Sequence, residues 1–185
     1  MYKDYGYNNN EFTHCHKYFL KPLQNMLPTV GTPILDVGCG NGAVANYLIA
    51  KGYNVFGIDA STSGIQKANE INSGRFFIQD LTSGQFPSEL LNIKFKTIIS
   101  TEVIEHLYDP RGYIRFCKKI LIDAGGGELI FSTPYHGYIK NLAMALTGSM
   151  DKHFTALWDG GHIKFWSRDT ATSLLRNELK ITYTR

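Results

Sequence analysis

Short apolar-rich runs alternate along the chain with longer stretches whose apolar residues recur at helical spacing. Ile34–Val37, Asn54–Ile58, Arg75–Ile78, Phe95–Ser100 and Glu128–Ser132 are runs of the first kind. Such runs predict strands buried on both faces, as in a parallel sheet. Between them, Ala43 to Lys51 predicts a helix packing through Val44, Tyr47, Leu48 and Ala50. A second helix, capped by Ser61 and running to about Ile71, turns Ile65 and Ala68 inward. A third opens at Asp109-Pro110, a good cap followed by a good first residue, and buries Tyr113, Ile114, Cys117, Ile120 and Leu121. A fourth, capped by Ser167, includes Thr170, Leu174 and Leu175. Strand and helix in alternation predict an α/β chain: a three-layer, doubly wound, mostly parallel sheet.

The flanks are less regular. Residues 1–12 form a polar, tyrosine-rich arm, expected to be loose. Phe12 to Met26 predicts a helix packing through His16, Tyr18, Phe19, Leu20 and Leu23, with Pro22 splitting it in two. Residues 82–94 read as a polar surface connection broken by Pro87. Residues 135–161 interrupt the rhythm with an apolar helical stretch (Ile139, Leu142, Ala143, Leu146), a polar bend from Ser149 to Lys152, and an aromatic segment from Phe154 to Trp158. Lys180 to Tyr183 is expected to begin a sixth strand.

Composition narrows this picture little. The chain has 185 residues, enough for one domain, so 1–185 is read as a single domain. It is 43% hydrophobic and 19% charged, an ordinary globular balance. The net charge of +3 forms no basic run, so nucleic acid is neither demanded nor excluded as a partner. Three cysteines without metal-type spacing, together with a start that does not look like a secretory signal, point to the cytoplasm. No apolar run approaches the length of a membrane span.

The chemistry begins at the turn after the first strand, Gly38-Cys39-Gly40-Asn41-Gly42. Glycines allow a sharp turn and let a ligand approach bare backbone N–H groups. The turn lies where open α/β sheets bind ligands, and an acid, Asp59, closes the second strand. Asp59 follows Gly38 by about 20 residues, the spacing of an acid that accepts hydrogen bonds from a ribose. This is a Rossmann-like nucleotide-binding unit. A dinucleotide fingerprint would read G-x-G-x-x-G; here the run is G-x-G-x-G, preceded by Asp36.

That form, LDVGCGNG, resembles the first motif of the class I S-adenosylmethionine-dependent methyltransferases. The resemblance implies that Asp36, Gly38, Cys39, Gly40, Asn41 and Gly42 hold the methionine part of the cofactor and that Asp59 and Ala60 hold the ribose. It implies that Asp80 and Leu81 lie by the adenine, and it adds Thr101 and Glu102 to the cofactor site. The arm at residues 1–12 would fold over the cofactor, and residues 135–161 would form a substrate lid. The family fold ends in a β-hairpin, which this chain is expected to leave incomplete.

A second constellation follows the fourth strand. In a helix, Glu102, Glu105 and His106 would share one side. Two carboxylates and an imidazole there suit Mg²⁺, Mn²⁺ or Zn²⁺, beside the methyl donor. The run EVIEHLYDP looks like the fourth motif of ubiquinone-biosynthesis O-methyltransferases, the nearest subgroup in motif, and of small-RNA 2′-O-methyltransferases. In the latter a later histidine completes a divalent-metal site, and His162 falls where that histidine is expected. Many relatives carry E-x-x-E-H without a demonstrated metal, so the alternative is a metal-free pocket shaped by the same residues. The resemblance covers roughly Tyr18 to Leu179.

The resulting expectation is methyl transfer from S-adenosylmethionine to a hydroxyl of a small molecule. His106, Glu105 and His162 are the candidate bases or metal ligands, with His136 behind them. A NAD-linked oxidoreductase and a non-catalytic binding protein of the same fold are the alternatives.

Overall fold

The computed structural model describes residues 4–81, 83–154, 157–158 and 160–182. The element order is α1 (His16–Gln24), β1 (Pro33–Val37), α2 (Ala43–Ala50), β2 (Asn54–Asp59), α3 (Thr62–Asn69), β3 (Phe76–Ile78), β4 (Thr97–Thr101), α4 (Pro110–Asp123), β5 (Glu128–Ser132), α5 (Tyr138–Leu146), α6 (Met150–Phe154) and α7 (Arg168–Arg176). Short 3-10 turns occupy Ser88–Leu90 and Ile104–His106. By its internal contacts the chain forms two compact units: Met1–Thr101 with Phe116–Ser132, and Glu102–Arg115 with Thr133–Arg185.

The first unit holds the whole sheet. Its five strands run parallel in the order β3-β2-β1-β4-β5. Ile34, Leu35, Val37, Val55, Ile58, Ile98 and Ile99 have no exposed surface, the burial that a doubly covered parallel sheet imposes. Gly57 in β2 carries no side chain at all, and space explains it. A Cβ there would lie 2.6 Å from the Phe76 ring and 2.7 Å from Cys39 Sγ. The chain builds β1, β2 and β3 outward and then returns to lay β4 on the other side of β1. That reversal puts the glycine turn after β1 at the switch point of the sheet, where ligands of such folds bind.

Several expectations needed correction. Pro22 does not split α1, because it lies seven residues into a nine-residue helix and only its local hydrogen bond is lost. Tyr18 is 78% exposed and packs on nothing in the core, whereas Leu23 is buried with Phe19 and Leu20 against it. Ala50 is exposed at the end of α2, and Ala43, Ala45 and Asn46 are buried instead. Met150–Phe154 is helical where a bend was expected at Ser149–Lys152. Lys180 to Thr182 form no strand, and Tyr183 lies outside the described residues, as do residues 155, 156 and 159 of the expected lid.

Candidate functional site

In the first unit the glycine turn is built by its neighbours. Gly38, Gly40 and Gly42 all take positive φ, which glycine adopts without strain. The expected row of bare amides is not there. Gly38 and Cys39 N–H both donate to the Ile58 carbonyl, at 2.8 and 3.1 Å, and Gly42 N–H donates to the Cys39 carbonyl at 2.9 Å. Gly40 N–H donates to Asp59 Oδ2 at 2.8 Å, while Ser61 N–H donates to Oδ1 at 2.7 Å. The turn is thus a preformed cradle: three of its amides are bonded to backbone carbonyls, and the fourth, from Gly40, braces Asp59.

Asp36 is the unusual group. It is 1% exposed, and neither carboxylate oxygen has a hydrogen-bond partner among the described residues. Burial, and secondarily the charge of Asp59, push its pKa up to about 8. Burial raises Asp59 as well, against the opposing hydrogen bonds from Ser61 and Gly40. A cationic guest would draw the proton off Asp36 and leave two carboxylates to hold it.

The arm folds onto this cradle instead of hanging loose. Asp4 accepts hydrogen bonds from Gly6 N–H, from the Ser61 and Ser63 hydroxyls and from Ser63 N–H. Tyr7 N–H donates to Ser63 Oγ at 2.9 Å. Asn41 Nδ2 donates to the carbonyls of Asn9 and Glu11. The Tyr7 hydroxyl lies 2.6 Å from where a Gly40 Cβ would stand. Sequence reasoning missed Asp4 and Tyr7; two serines facing an arm acid were the signal available. Asp80 is exposed in the turn after β3, and Leu81 beside it is buried. Ala60 and Thr101 are half-buried at the ends of β2 and β4.

In the second unit the chain enters at Glu102, which takes a left-handed conformation at φ 57°. A non-glycine residue holds that geometry at some cost. The helical turn starts only at Ile104, so the expected common face for Glu102, Glu105 and His106 does not form. Glu105 and His106 meet His162 instead. One ligand atom from each lies within 4.8 Å of the others, and Glu102 stands outside this group.

The meeting is enforced by backbone bonds. Ile163 and Lys164 N–H both donate to the Glu105 carbonyl at 3.0 Å. His106 Nδ1–H donates to the Gly161 carbonyl at 3.3 Å, which leaves Nε2 as the lone-pair nitrogen. That nitrogen is 3.9 Å from Glu105 Oε1. Glu105 is 1% exposed; burial first, then the charge of Glu102, push its pKa up to about 8. Burial and the neighbouring histidines lower His162 to about 4, and burial lowers His106. A protonated carboxyl and two neutral imidazoles are the donor set a divalent cation converts into ligands, with positions left for an acceptor.

His136 also lies in this unit, its backbone N–H donating to the Trp166 carbonyl at 2.9 Å. Lys140, His153, Phe154 and Phe165 surround it, and sequence reasoning left them unassigned.

Comparison with known proteins decides the family. Residues 7–178 match the model of a methyltransferase domain. The chain belongs to that family. This methyltransferase domain is 31% identical over 148 residues to a ubiquinone biosynthesis O-methyltransferase of Paracidovorax citrulli, a match covering 76% of the chain and 60% of the relative. It is 31% identical over 128 residues to the enzyme of that name from a Caulobacter species, covering 66% and 48%. The chain thus spans about half to three-fifths of the length of these relatives. Among solved structures, magnesium protoporphyrin IX methyltransferase from Synechocystis, with bound SAH, superposes with a TM-score of 0.60. That likeness has 21% identity and covers 88% of this chain and 70% of the other. It establishes the Rossmann-like methyltransferase fold, and the family is not that of a nicotinamide-linked oxidoreductase. No helix among the described residues is long and apolar enough to cross a membrane.

Proposed function

We propose that this chain transfers a methyl group from S-adenosylmethionine to a hydroxyl of a small-molecule acceptor. The observation that carries the reading is the buried carboxyl of Asp36 beside Asp59, without a hydrogen-bond partner among the described residues. A donor bearing an ammonium and a sulfonium favours ionisation of both acids and is then held by them; the pyrophosphate of a dinucleotide would gain no such partner there. Asp59, Gly40 and Gly42 shape the cradle, with Asp36, Gly38, Cys39, Asn41, Ala60, Asp80, Leu81, Thr101 and Glu102 completing the assignment.

The sulfonium supplies an electrophilic methyl group, so the protein's work is to bind, orient and deprotonate. We assign acceptor chemistry to the second unit. His106 Nε2, its lone pair fixed by the Nδ1–H bond to Gly161, is the base for the acceptor proton. As the alternative to this base, the same lone pair would join Glu105 and His162 in holding a divalent cation such as Mg²⁺, which would supply Lewis acidity to that hydroxyl in the base's place. The named relatives are O-methyltransferases, which agrees with a hydroxyl acceptor. We read residues 1–185 as one domain with a lid at 135–161, and we assign it to the cytoplasm on its cysteine usage.

Thermal melting with S-adenosylhomocysteine tests the core of this reading. A rise in melting temperature that Asp59→Ala removes is the expected result. No rise at millimolar ligand would refute it. Cofactor binding without turnover on any hydroxyl panel would leave a non-catalytic binding protein.

A further inference from the structure

The second unit contains polar groups that the reaction above does not use. His136 is only 9% exposed, and both its ring nitrogens lack a hydrogen-bond partner among the described residues. Two unsatisfied nitrogens on one buried ring are costly unless a ligand completes them. Lys140, in the first turn of α5, is half-buried, and no carboxylate pairs with it among the described residues. It lies close enough for its charge, after burial itself, to lower the pKa values of His136 and His153.

Aromatic faces frame these groups. Phe154 stacks on His136 with centroids 6.1 Å apart and an interplanar angle of 23°, and Phe165 meets His136 edge-on at 4.9 Å. Phe154 and Phe165 are 5.1 Å apart, and His153 lies 5.7 Å from His136. Phe165 is 49% exposed and His153 is also exposed, so solvent reaches the cluster while His136 forms its buried end. His162 links it to the triad, 6.4 Å from His136 and 4.9 Å from His106.

We infer that Lys140 and His136, framed by Phe154 and Phe165, form a subsite for an anionic substituent, carboxylate or phosphate, on a planar acceptor. An unpaired ammonium and a buried N–H supply charge and direction to an anion, and the phenylalanines supply faces for a ring. An acceptor anchored there directs its other end past His162 toward His106 and Glu105. This rests on the proposed methyl transfer only for the word acceptor; the anion site stands on the cluster itself.

The test is binding by titration calorimetry of benzoate, phenyl phosphate and the neutral isostere benzamide to the full chain. Benzoate or phenyl phosphate should bind about tenfold or more tightly than benzamide, and the tighter of the two names the anion. Lys140→Met should erase that preference and Lys140→Arg should retain it, each with an unchanged melting temperature. Equal binding of benzamide and the anions, or a preference that survives Lys140→Met, overturns the inference. S-adenosylhomocysteine melting is run beside it. Loss of that shift with the anion preference intact refutes methyl transfer and not the subsite; the reverse pattern refutes only the subsite.

Discussion

The Thr133 hydroxyl donates to Glu105 Oε2 at 2.9 Å, and it is the one side chain that holds this buried carboxyl among the described residues. The other oxygen, Oε1, is left to face His106 Nε2 at 3.9 Å. Thr133 therefore sets the rotation of Glu105 and decides which oxygen the triad receives. Thr133→Val keeps the shape and removes the donor. The cost is that of stranding a buried acceptor, about 1–3 kcal/mol. Urea denaturation should show it, with turnover falling further than stability explains. A Thr133→Val protein as stable and active as the wild type would remove Thr133 from this role.

Glu105, His106 and His162 lead to a metal prediction. Mn²⁺ should bind the wild type by calorimetry or paramagnetic relaxation. Glu105→Gln or His162→Gln should weaken it by about 10-fold or more, the scale of losing ligand order at such sites. Glu102→Gln should weaken it less, because Glu102 acts on the site through its charge and stands outside the ligand group. If Mn²⁺ does not bind, or binds Glu105→Gln as it binds the wild type, the metal assignment is wrong.

How much of this was legible in the sequence depends on the range of the force involved. All five sheet strands were readable because each is a short apolar-rich run, most strongly in the central β1, β2 and β4, where burial is greatest, and that is a local property. Ser61 and Ser167 were readable as caps; Ser61 accepts from Gly64 N–H, and Ser167 forms a capping box with Thr170. The left-handed Glu102 was not readable, because nothing in T-E-V-I-E-H distinguishes a continuous helical turn from one that begins two residues later. The pairing of His162 with Glu105 depends on two backbone bonds across more than fifty residues, and only the family resemblance suggested it. The loop amides were misjudged for a related reason: glycine content shows that a backbone is approachable, not that its donors are unspent.

Asp36 carries a pH prediction. An unfolded aspartate titrates near ~4, and folding raises Asp36 to about 8. The folded state then holds the proton more tightly than the unfolded state. Its stabilising contribution is whole below about pH 4 and is lost as pH rises through about 8. The wild type should lose melting temperature between about pH 5 and about pH 8 and level off above it, and Asp36→Asn should flatten that slope by scanning fluorimetry. Parallel slopes for the two proteins would show that Asp36 is ionised without penalty.

Gly64 carries a packing prediction. It sits in α3 with an ordinary φ, where alanine normally gains about 1 kcal/mol. Its Cβ would lie 2.6 Å from the Gly40 carbonyl oxygen, a backbone atom of the cradle that has little room to yield. Overpacking costs about 1–3 kcal/mol, so Gly64→Ala should destabilise the fold and weaken S-adenosylhomocysteine binding together. Stabilisation by calorimetric melting would mean that α3 shifts freely.

The arm gives the last prediction. Asp4 gathers bonds from Gly6, Ser61 and Ser63; burial would raise its pKa, but those bonds outweigh it and hold the carboxyl well below the usual range. The carboxylate is therefore ionised at neutral pH and acts as the clasp that keeps Tyr7 against Gly40. Asp4→Ala removes bonds of about 1 kcal/mol net, which multiplies the open population about fivefold. Chymotrypsin cleavage at Tyr5 and Tyr7 should accelerate by that factor while global melting stays put. S-adenosylhomocysteine should slow cleavage in both proteins if the arm closes over the donor. Cleavage of Asp4→Ala at the wild-type rate would show that Asn41, through Asn9 and Glu11, holds the arm without the clasp.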